Sequence, residues 1–184
     1  YIFAIDLVME QHQIINPILI SEKIQEDLEM DVTIHQVMDY LEINQENWEI
    51  ESQKINYYET DKMGIVHHSN YIRFLEEARC KMLEQFEMPY SSFESNGIMI
   101  PVLGVNCSFK HHVTFNDIIL IEPYVKQFNG VRLTMGYSIT NKKTGNIVLT
   151  GETKHCFTDT SLKPIRLQNH IPEFYEKFIK LQNN

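Results

Sequence analysis

The spacing of hydrophobic positions changes near residue 50. Before that point, apolar residues such as Ile34, Val37, Met38 and Leu41 recur at the three- and four-residue intervals that are typical of helices. This spacing predicts three short helices within residues 1–50, in an order similar to that of a helix-turn-helix unit.

The pattern after residue 50 predicts one strand followed by a long helix. Residues Lys54 to Tyr58 mix Ile and Tyr with polar residues, as a strand does. A broad apolar stripe then predicts an amphipathic helix that ends near Met88, and a stripe of this width needs a large surface to cover it. The stripe consists of Tyr71, Phe74, Leu75, Ala78, Met82 and Phe86.

From Ile98 onward, apolar and polar residues follow the pattern of strands that are separated by turns. Asn129-Gly130 is a strong hairpin signal. A long helix followed by antiparallel strands predicts an α+β fold in which the helix packs on one sheet. The predicted strands are 98–109, 118–127, 131–140 and 147–157, and a short amphipathic helix over 172–181 follows them.

The distribution of charge divides the chain at the same place. Residues 1–50 carry 11 acidic residues and one basic residue, a net charge of −10, whereas the remaining 134 residues have a net charge of +1. We therefore expect an acidic helical extension over 1–50, with a helix order similar to that of a helix-turn-helix, and a separate domain over 51–184. Affinity for duplex DNA depends on Lys and Arg neutralising phosphates. No nucleic-acid partner is expected, and a cap or interface element is the favoured interpretation of the extension.

The cysteines and the apolar runs indicate the cellular compartment in which the protein is expected. Cys80, Cys107 and Cys156 are odd in number and show no CxxC spacing. Neither a disulfide framework nor a zinc knuckle is therefore expected, and a reducing cytoplasm fits best. No apolar run approaches the ~20 residues that span a bilayer. We expect a cytoplasmic protein without a membrane partner.

Residues 57–71 concentrate acids, histidines and a glycine between the first predicted strand and the long helix. Asp61 stands a few residues before the helix, whose free N–H groups and positive dipole end can bind a developing oxyanion. A carboxylate in that position suits acyl transfer to water, either as a nucleophile or as the base that activates water. A plain turn or capping role for Asp61 also fits these residues.

This segment resembles the signature of the 4-hydroxybenzoyl-CoA thioesterase branch of the hot-dog superfamily, a group of small acyl-CoA thioesterases. The motif reads Glu-Thr-Asp-Lys-Met-Gly-Ile-Val-His-His-Ser-Asn-Tyr over residues 59–71, and Phe-Leu-Glu-Glu-Ala-Arg follows over 74–79. A GIMIPV strand, a Phe-Asn-Asp turn and an NGVRL hairpin come next, in the order that the family has. The resemblance covers about residues 53–168.

The resemblance implies a hot-dog fold, in which an antiparallel sheet wraps one long helix and two copies pair with the active sites at their interface. It implies an enzyme that hydrolyses an acyl-CoA or acyl-carrier-protein thioester to a carboxylate and a free thiol, without a metal or an organic cofactor. Asp61 matches the catalytic aspartate, and His68 falls where a backbone N–H polarises the thioester carbonyl. The positions implied to bind substrate are Gly64, Val66, His67, Ser69 and Tyr71.

Position 67 departs from the family pattern, because relatives often have an aromatic residue where this chain has His67. The wall of the acyl pocket, and with it the substrate preference, is therefore left open. A metal pair of His67 and His68 is not expected, since adjacent histidines that enter a helix should diverge and no matching ligand cluster appears. Glu59 is interpreted as a solvated or hydrogen-bonded acid at the end of a strand.

Other charged residues allow more than one interpretation. Glu76 and Glu77 lie close in sequence to Arg73 and Arg79, which favours a solvated, ion-paired helix face over a second catalytic acid. A second group of basic residues could help to hold a CoA phosphate group, although exposed Lys and Arg are common. This group consists of Lys110, His111, His112, Arg132, Lys142 and Lys143.

Two other functions are compatible with parts of the sequence. An acyl-CoA-sensing hot-dog protein would signal through its N-terminal helices, although the charge of −10 and the intact Asp61 disfavour it. A hot-dog dehydratase would need a catalytic His ahead of a Gly-x-Pro loop, which is not evident. The acyl group, the choice between CoA and carrier protein, and the choice between dimer and tetramer are left open.

Overall fold

The computed structural model describes residues 20–21, 24–25 and 51–183 of the 184-residue chain. Most of the predicted N-terminal helical segment therefore lies outside the described residues. The four described positions are helical, and Ile20 and Ile24 are buried. The chain divides into two compact units, and the second, Ile50–Gln182, contains all of the strands described below. The role predicted for residues 1–50 stays a prediction.

The second unit combines a five-stranded sheet with one long helix. Its strands are β1 (Glu51–Lys54), β2 (Val102–Phe109), β3 (Ile118–Phe128), β4 (Arg132–Asn141) and β5 (Ile147–Cys156). Its helices are α1 (His68–Gln85), α2 (Tyr90–Ser95) and α3 (Pro172–Asn183), and short 3₁₀ turns occupy Tyr57–Glu59 and Leu167–Asn169.

The sheet has the order β1-β3-β4-β5-β2, and every neighbouring pair is antiparallel. The hairpin from β3 to β4 turns at Asn129-Gly130, as predicted. Gly130 has a φ of 84°, in the left-handed region that glycine adopts without strain. The side chain of Asn129 accepts hydrogen bonds from the N–H groups of Val131 and Arg132. This topology leaves β1 and β2 at the two edges of the sheet.

Helix α1 buries its predicted apolar stripe against one face of the sheet. Phe74 and Leu75 of the stripe belong to the same hydrophobic core as Ile121 of β3 and Met135 and Ile139 of β4. Burial of each such side chain stabilises the folded state by roughly 1.5–3 kcal/mol. The helix on one sheet confirms the predicted α+β architecture. Within the described residues, no helix is both long enough and apolar enough to cross a membrane.

The prediction of a first strand over Lys54–Tyr58 is wrong. The strand ends at Lys54, and the chain then forms the 3₁₀ turn Tyr57–Glu59. The turn forms because the Glu59 carboxylate accepts a hydrogen bond from the Asn56 N–H at 2.7 Å. Capping of this kind satisfies a backbone donor that a strand would otherwise use.

Candidate active site

Asp61 begins a tight turn that folds the chain back on itself before α1. Thr60 and Val66 form an antiparallel bridge across the turn. The N–H of Asp61 donates to the carbonyl of Ile65, and the N–H of Gly64 donates to the carbonyl of Asp61, both at 2.9 Å. Gly64 has a φ of 76°, which closes the turn without the strain that a side chain would bring.

The Asp61 carboxylate is fixed by its own turn. Its Oδ1 atom accepts a hydrogen bond from the N–H of Met63 at 2.7 Å, and the side chain is half-buried. No other hydrogen bond to this carboxylate occurs among the described residues. The turn therefore orients the carboxylate while leaving Oδ2 able to meet a substrate or a water molecule.

The carbonyl of Glu59 connects this turn to the first turn of α1. It accepts hydrogen bonds from the N–H of His67 at 2.9 Å and from Nδ2 of Asn70 at 2.7 Å. Asn70 was not singled out from the sequence, since its partner lies 11 residues earlier and only the fold brings the two together. The Glu59 side chain is 6% exposed and also accepts a hydrogen bond from Gln53, so of the two predicted alternatives the hydrogen-bonded acid is confirmed.

His67 caps the N-terminus of α1. Its Nδ1 atom accepts from the N–H of Ser69 at 3.3 Å and lies 2.8 Å from Oγ of the same residue, and its carbonyl accepts from the N–H of Asn70. The N–H of His68, the first residue of the helix, has no acceptor in the described part of the chain. A free N–H at the positive end of a helix is a suitable donor for an oxyanion.

The two imidazole rings stack instead of diverging. The ring centroids of His67 and His68 lie 4.2 Å apart at an interplanar angle of 33°, so the expectation that they point apart is wrong. In residues 20–21, 24–25 and 51–183, no group of three or more His, Cys, Asp or Glu side chains is placed to hold a metal ion.

The predicted site residues separate into two layers. Val66 is buried in the core, and its N–H donates to the carbonyl of Val113 at 2.8 Å. Tyr71 is also buried, its ring centroid lies 5.3 Å from that of Phe109, and burial raises its pKa to about 12. The residues of the outer layer are exposed or half-buried; they are Asp61, Gly64, His67, His68 and Ser69.

Arg79 of α1 is buried, so the prediction of a solvated position is wrong, whereas the predicted ion pairing of this face is present between Arg79 and Glu76. Its side chain is 2% exposed, donates a hydrogen bond from Nη2 to Glu76 and lies over the Tyr90 ring, with Cζ 5.4 Å from the centroid. Its Nε and Nη1 atoms have no hydrogen-bond partner within the described residues. Glu77 is exposed, as predicted.

The basic residues that were grouped from the sequence do not all lie together. The N–H of Lys110 donates to the carbonyl of Val148 near the start of β5, and the turn that carries Lys142 and Lys143 leads into the same strand. Arg132 begins β4 and pairs with Cys156, at the other end of the sheet. The interpretation of one phosphate-binding group that includes Arg132 is therefore corrected.

A sequence profile of the thioesterase-like superfamily matches residues 55–178 of the chain. The chain belongs to this superfamily. It is 29% identical over 128 residues to the putative acyl-CoA thioesterase YneP of Bacillus subtilis (strain 168), a match that covers 69% of the chain and 92% of the relative. It is 32% identical over 104 residues to a putative esterase of Aquifex aeolicus (strain VF5), covering 56% of the chain and 80% of that relative.

A solved structure with similar architecture is the DHNA-CoA thioesterase from Staphylococcus aureus. The TM-score is 0.69 and the sequence identity is 30%, with 72% of this chain and 89% of that chain covered. Together with the superfamily profile, this similarity confirms the predicted hot-dog fold and the predicted membership among thioester hydrolases.

Proposed function

We propose that this protein hydrolyses acyl-CoA thioesters, with Asp61 as the catalytic carboxylate. The names of its relatives support the substrate class, since YneP is a putative acyl-CoA thioesterase and the S. aureus enzyme is a DHNA-CoA thioesterase. One observation carries the proposal. A half-buried carboxylate with one oxygen that no described residue bonds is held by the turn that precedes α1, the helix whose first N–H, that of His68, also has no acceptor among the described residues.

These groups have the chemistry that thioester hydrolysis needs. The N–H of His68 and the helix dipole would stabilise the negative charge that develops on the carbonyl oxygen. Asp61 would either attack the carbonyl carbon or take a proton from the water that attacks it. If Asp61 attacks, a C–O bond to its carboxylate forms, the C–S bond breaks, and water then hydrolyses the resulting anhydride and frees Asp61. If Asp61 acts as the base, the oxygen of water forms the C–O bond as Asp61 takes its proton, and the C–S bond then breaks. In both routes the CoA thiolate leaves and takes up a proton that the water supplies. No metal or organic cofactor enters this balance.

The other predicted residues would shape the site around the reacting carbonyl. Among the described residues other than its two chain neighbours, no atom lies within 4 Å of the place where a side chain at Gly64 would begin, which would leave room for the substrate beside the turn. His67 and Ser69 would hold the start of the helix. Val66 would support the turn from the core, and the ring of Tyr71 against Phe109 would form an apolar wall for the acyl group.

We expect two copies of the chain to pair through β2. This edge strand exposes Val102, Leu103, Val105 and Phe109 to between 41% and 57%, and no strand of the described residues pairs with its outer edge. A second copy would bury the apolar side chains and form hydrogen bonds with the free backbone groups. Because Phe109 contacts Tyr71 in the first turns of α1, the site would lie next to this interface. Cytoplasmic location stays a prediction.

Replacement of Asp61 by Asn tests the proposal. Asn retains an oxygen that can accept the Met63 N–H, so the turn survives while the negative charge is lost. We expect release of free CoA thiol to fall by roughly 10²- to 10⁴-fold, the range for loss of a catalytic base. Asp159→Asn is the matched control, because Asp159 caps a turn through the N–H groups of Ser161 and Lys163. Full activity in Asp61→Asn would refute the assignment.

A further inference from the structure

Aromatic and apolar side chains are exposed around the Asp61 turn. Tyr57, Tyr58, Met63 and Phe115 are between 47% and 79% exposed. The rings of Tyr57 and Phe115 meet edge to face with centroids 5.7 Å apart, and Met63 lies within the turn itself. We call these four residues the apolar patch. Single exposed apolar residues are common on protein surfaces, whereas a group of neighbouring ones indicates an interaction surface.

The backbone holds the apolar patch in place. Tyr57 stands in the 3₁₀ turn that the Glu59 carboxylate caps. The segment that carries Phe115 is anchored to the Asp61 turn, because Thr114 forms a bridge with Ile65. The ring contact between Tyr57 and Phe115 joins the two segments. A surface that is already ordered binds without the entropic cost of fixing a loop.

Exposed lysines flank the apolar patch. Lys54 is paired with Ile118 in the β1–β3 register, and the N–H of Lys142 donates to the carbonyl of Ile118 at 2.9 Å. Lys143 follows, and Lys62 lies in the Asp61 turn. We call these four lysines the lysine group. In the described part of the chain, none of them forms an ion pair.

The acids of the same segments are less accessible than the lysines. Glu59 is buried, and Asp61 and Asp117 are half-buried. Asp61 accepts a hydrogen bond from the N–H of Met63, and Asp117 accepts one from the N–H of Thr114. A surface that approaches this region therefore meets the ammonium groups first. Salt screens more distant charges with a Debye length of about 8 Å, so the local charge matters more than the net charge of the chain.

We infer that the apolar patch and the lysine group together bind the surface of a bilayer that contains anionic lipids. Tyrosine is enriched at the boundary between lipid and water, where its ring is buried and its hydroxyl stays hydrated. Lysines neutralise anionic head groups while their stems lie along apolar surface. The lysine group comes from three separate segments of the chain, a spread that suits a diffuse negative surface better than a single bound anion.

This inference replaces the expectation that the protein has no membrane partner. That expectation rested on the lack of an apolar run that could span a bilayer, and contact with one leaflet needs no such run. The binding itself does not depend on the proposed hydrolysis. One consequence does rest on the proposed function: the Asp61 turn would face the bilayer, where the acyl chain of a substrate would be held.

The structure offers a matched charge control at the opposite end of the sheet. Arg132 lies nine residues along β4 from Asn141, which is roughly 30 Å at ~3.4 Å per residue. Arg132 and Lys163 are both exposed. A variant that lacks these two positive charges loses the same net charge as one that lacks Lys142 and Lys143. Any difference between the two variants reports position and not total charge.

The first test is cosedimentation of the full chain with vesicles, without any thioester. We expect the wild type to bind vesicles of equal parts phosphatidylcholine and phosphatidylglycerol at least about tenfold more tightly than vesicles of phosphatidylcholine alone. Lys142→Ala/Lys143→Ala should weaken binding to the mixed vesicles by roughly 30-fold, at about fivefold for each lysine. Arg132→Ala/Lys163→Ala should bind like the wild type. Higher salt should weaken binding of the wild type.

The second test changes the apolar patch. Tyr57→Ser/Met63→Ser should weaken binding to the mixed vesicles, because less apolar area enters the head-group region. Leu162→Ser removes an exposed apolar side chain outside the patch and should have no effect. Tyr57→Trp keeps a ring at the surface, so it does not depend on the folding of the Ser variant. It should bind at least as tightly as the wild type, and the indole emission that it adds should shift to shorter wavelength with vesicles.

Each contrary result overturns the inference. Equal binding of the wild type to both kinds of vesicle, or an equal loss in the two charge variants, would show that the lysine group does not bind anionic lipid. An unshifted emission from Tyr57→Trp would show that the apolar patch stays in water. Retention on immobilised poly-glutamate without vesicle binding would indicate an acidic polypeptide partner instead. None of these measurements involves hydrolysis, so failure of the proposed function leaves their outcome unaffected.

Discussion

The Nε2 atom of His155 lies 2.7 Å from the Oγ1 atom of Thr153, deep between α1 and the sheet. The same oxygen lies 2.9 Å from the hydroxyl of Tyr137, so three polar side chains form a buried chain. Burial, together with the positive charge of Arg79, lowers the pKa of His155 to about 4. The imidazole is therefore neutral in the folded protein at physiological pH.

Folding stability should consequently depend on pH through His155. In the unfolded chain its pKa is about 6.5. Because the folded pKa is lower, the stabilisation is fully present above pH ~6.5 and is lost as the pH falls towards 4, by roughly 3 kcal/mol in total. Urea unfolding between pH 7.5 and 4.5 should show this loss in the wild type and a smaller loss in His155→Gln. His170→Gln, at an exposed position, should behave like the wild type, and parallel curves for all three would contradict the prediction.

Removal of the Arg79 charge should raise the pKa of His155. Arg79→Met keeps a long side chain in the buried space but deletes the positive charge that opposes protonation of the imidazole. An NMR titration of the His155 ring signals measures the change directly. Arg73→Met serves as the control, because Arg73 is exposed on the same helix, and it should leave that pKa unchanged. A His155 pKa that is the same in both variants would show that burial alone sets the value.

The cap at the start of α1 should be replaceable by a better one. His67→Ala removes the acceptor for the Ser69 N–H, and loss of an N-cap costs about 1 kcal/mol in the free energy of unfolding. His67→Asn should recover that loss, since Asn is among the preferred N-cap residues. Urea unfolding of the two variants and the wild type decides the matter. If Ala and Asn are equally destabilising, the imidazole contributes through its contact with His68 and not as a cap.

A methyl group at Gly151 should weaken the β2–β5 pairing. A side-chain carbon there would lie 2.8 Å from the backbone oxygen of Asn106, and overpacking of this kind costs ~1–3 kcal/mol. Gly151→Ala should therefore lower the free energy of unfolding, as measured in urea. The added carbon of Gly104→Ala, in the same strand pair, meets no atom within 4 Å in the part of the chain that the structure describes, apart from its chain neighbours, and this change should be nearly neutral. Comparable losses in both variants would mean that general strand propensity, and not this close approach, is responsible.

Patterns that depend on neighbouring residues were predictable from the sequence. The apolar stripe of α1 and the Asn129-Gly130 hairpin depend on residues within a few positions, and both are observed. The first strand was placed wrongly because β1 depends on its pairing with β3, more than 60 residues later, while Glu59 diverts the following residues into a turn. The local alternation of apolar and polar residues does not show whether a segment will pair with β3 or form the turn at Glu59.

The site shows the same division between local and distant determinants. The position of Asp61 ahead of the helix could be read from the order of residues, but the Glu59 carbonyl that joins the turn to Asn70 could not. Arg79 looked solvated because its sequence neighbours are acidic. Its burial depends on Tyr90, which lies beyond the end of the helix. Contacts between residues that are distant in sequence leave no periodic pattern in the sequence.

Strand β2 has a further consequence for how the chain behaves when it is alone. Its residues, Val-Leu-Gly-Val-Asn-Cys-Ser-Phe, include no charged side chain, and charge is the usual device by which edge strands avoid aggregation. An isolated copy therefore exposes unpaired backbone N–H and C=O groups with which any extended polypeptide can form hydrogen bonds. If a second copy occupies that edge, assembly also acts as a safeguard of solubility. A mutation that separates the copies should then cause precipitation of the protein while each copy is still folded.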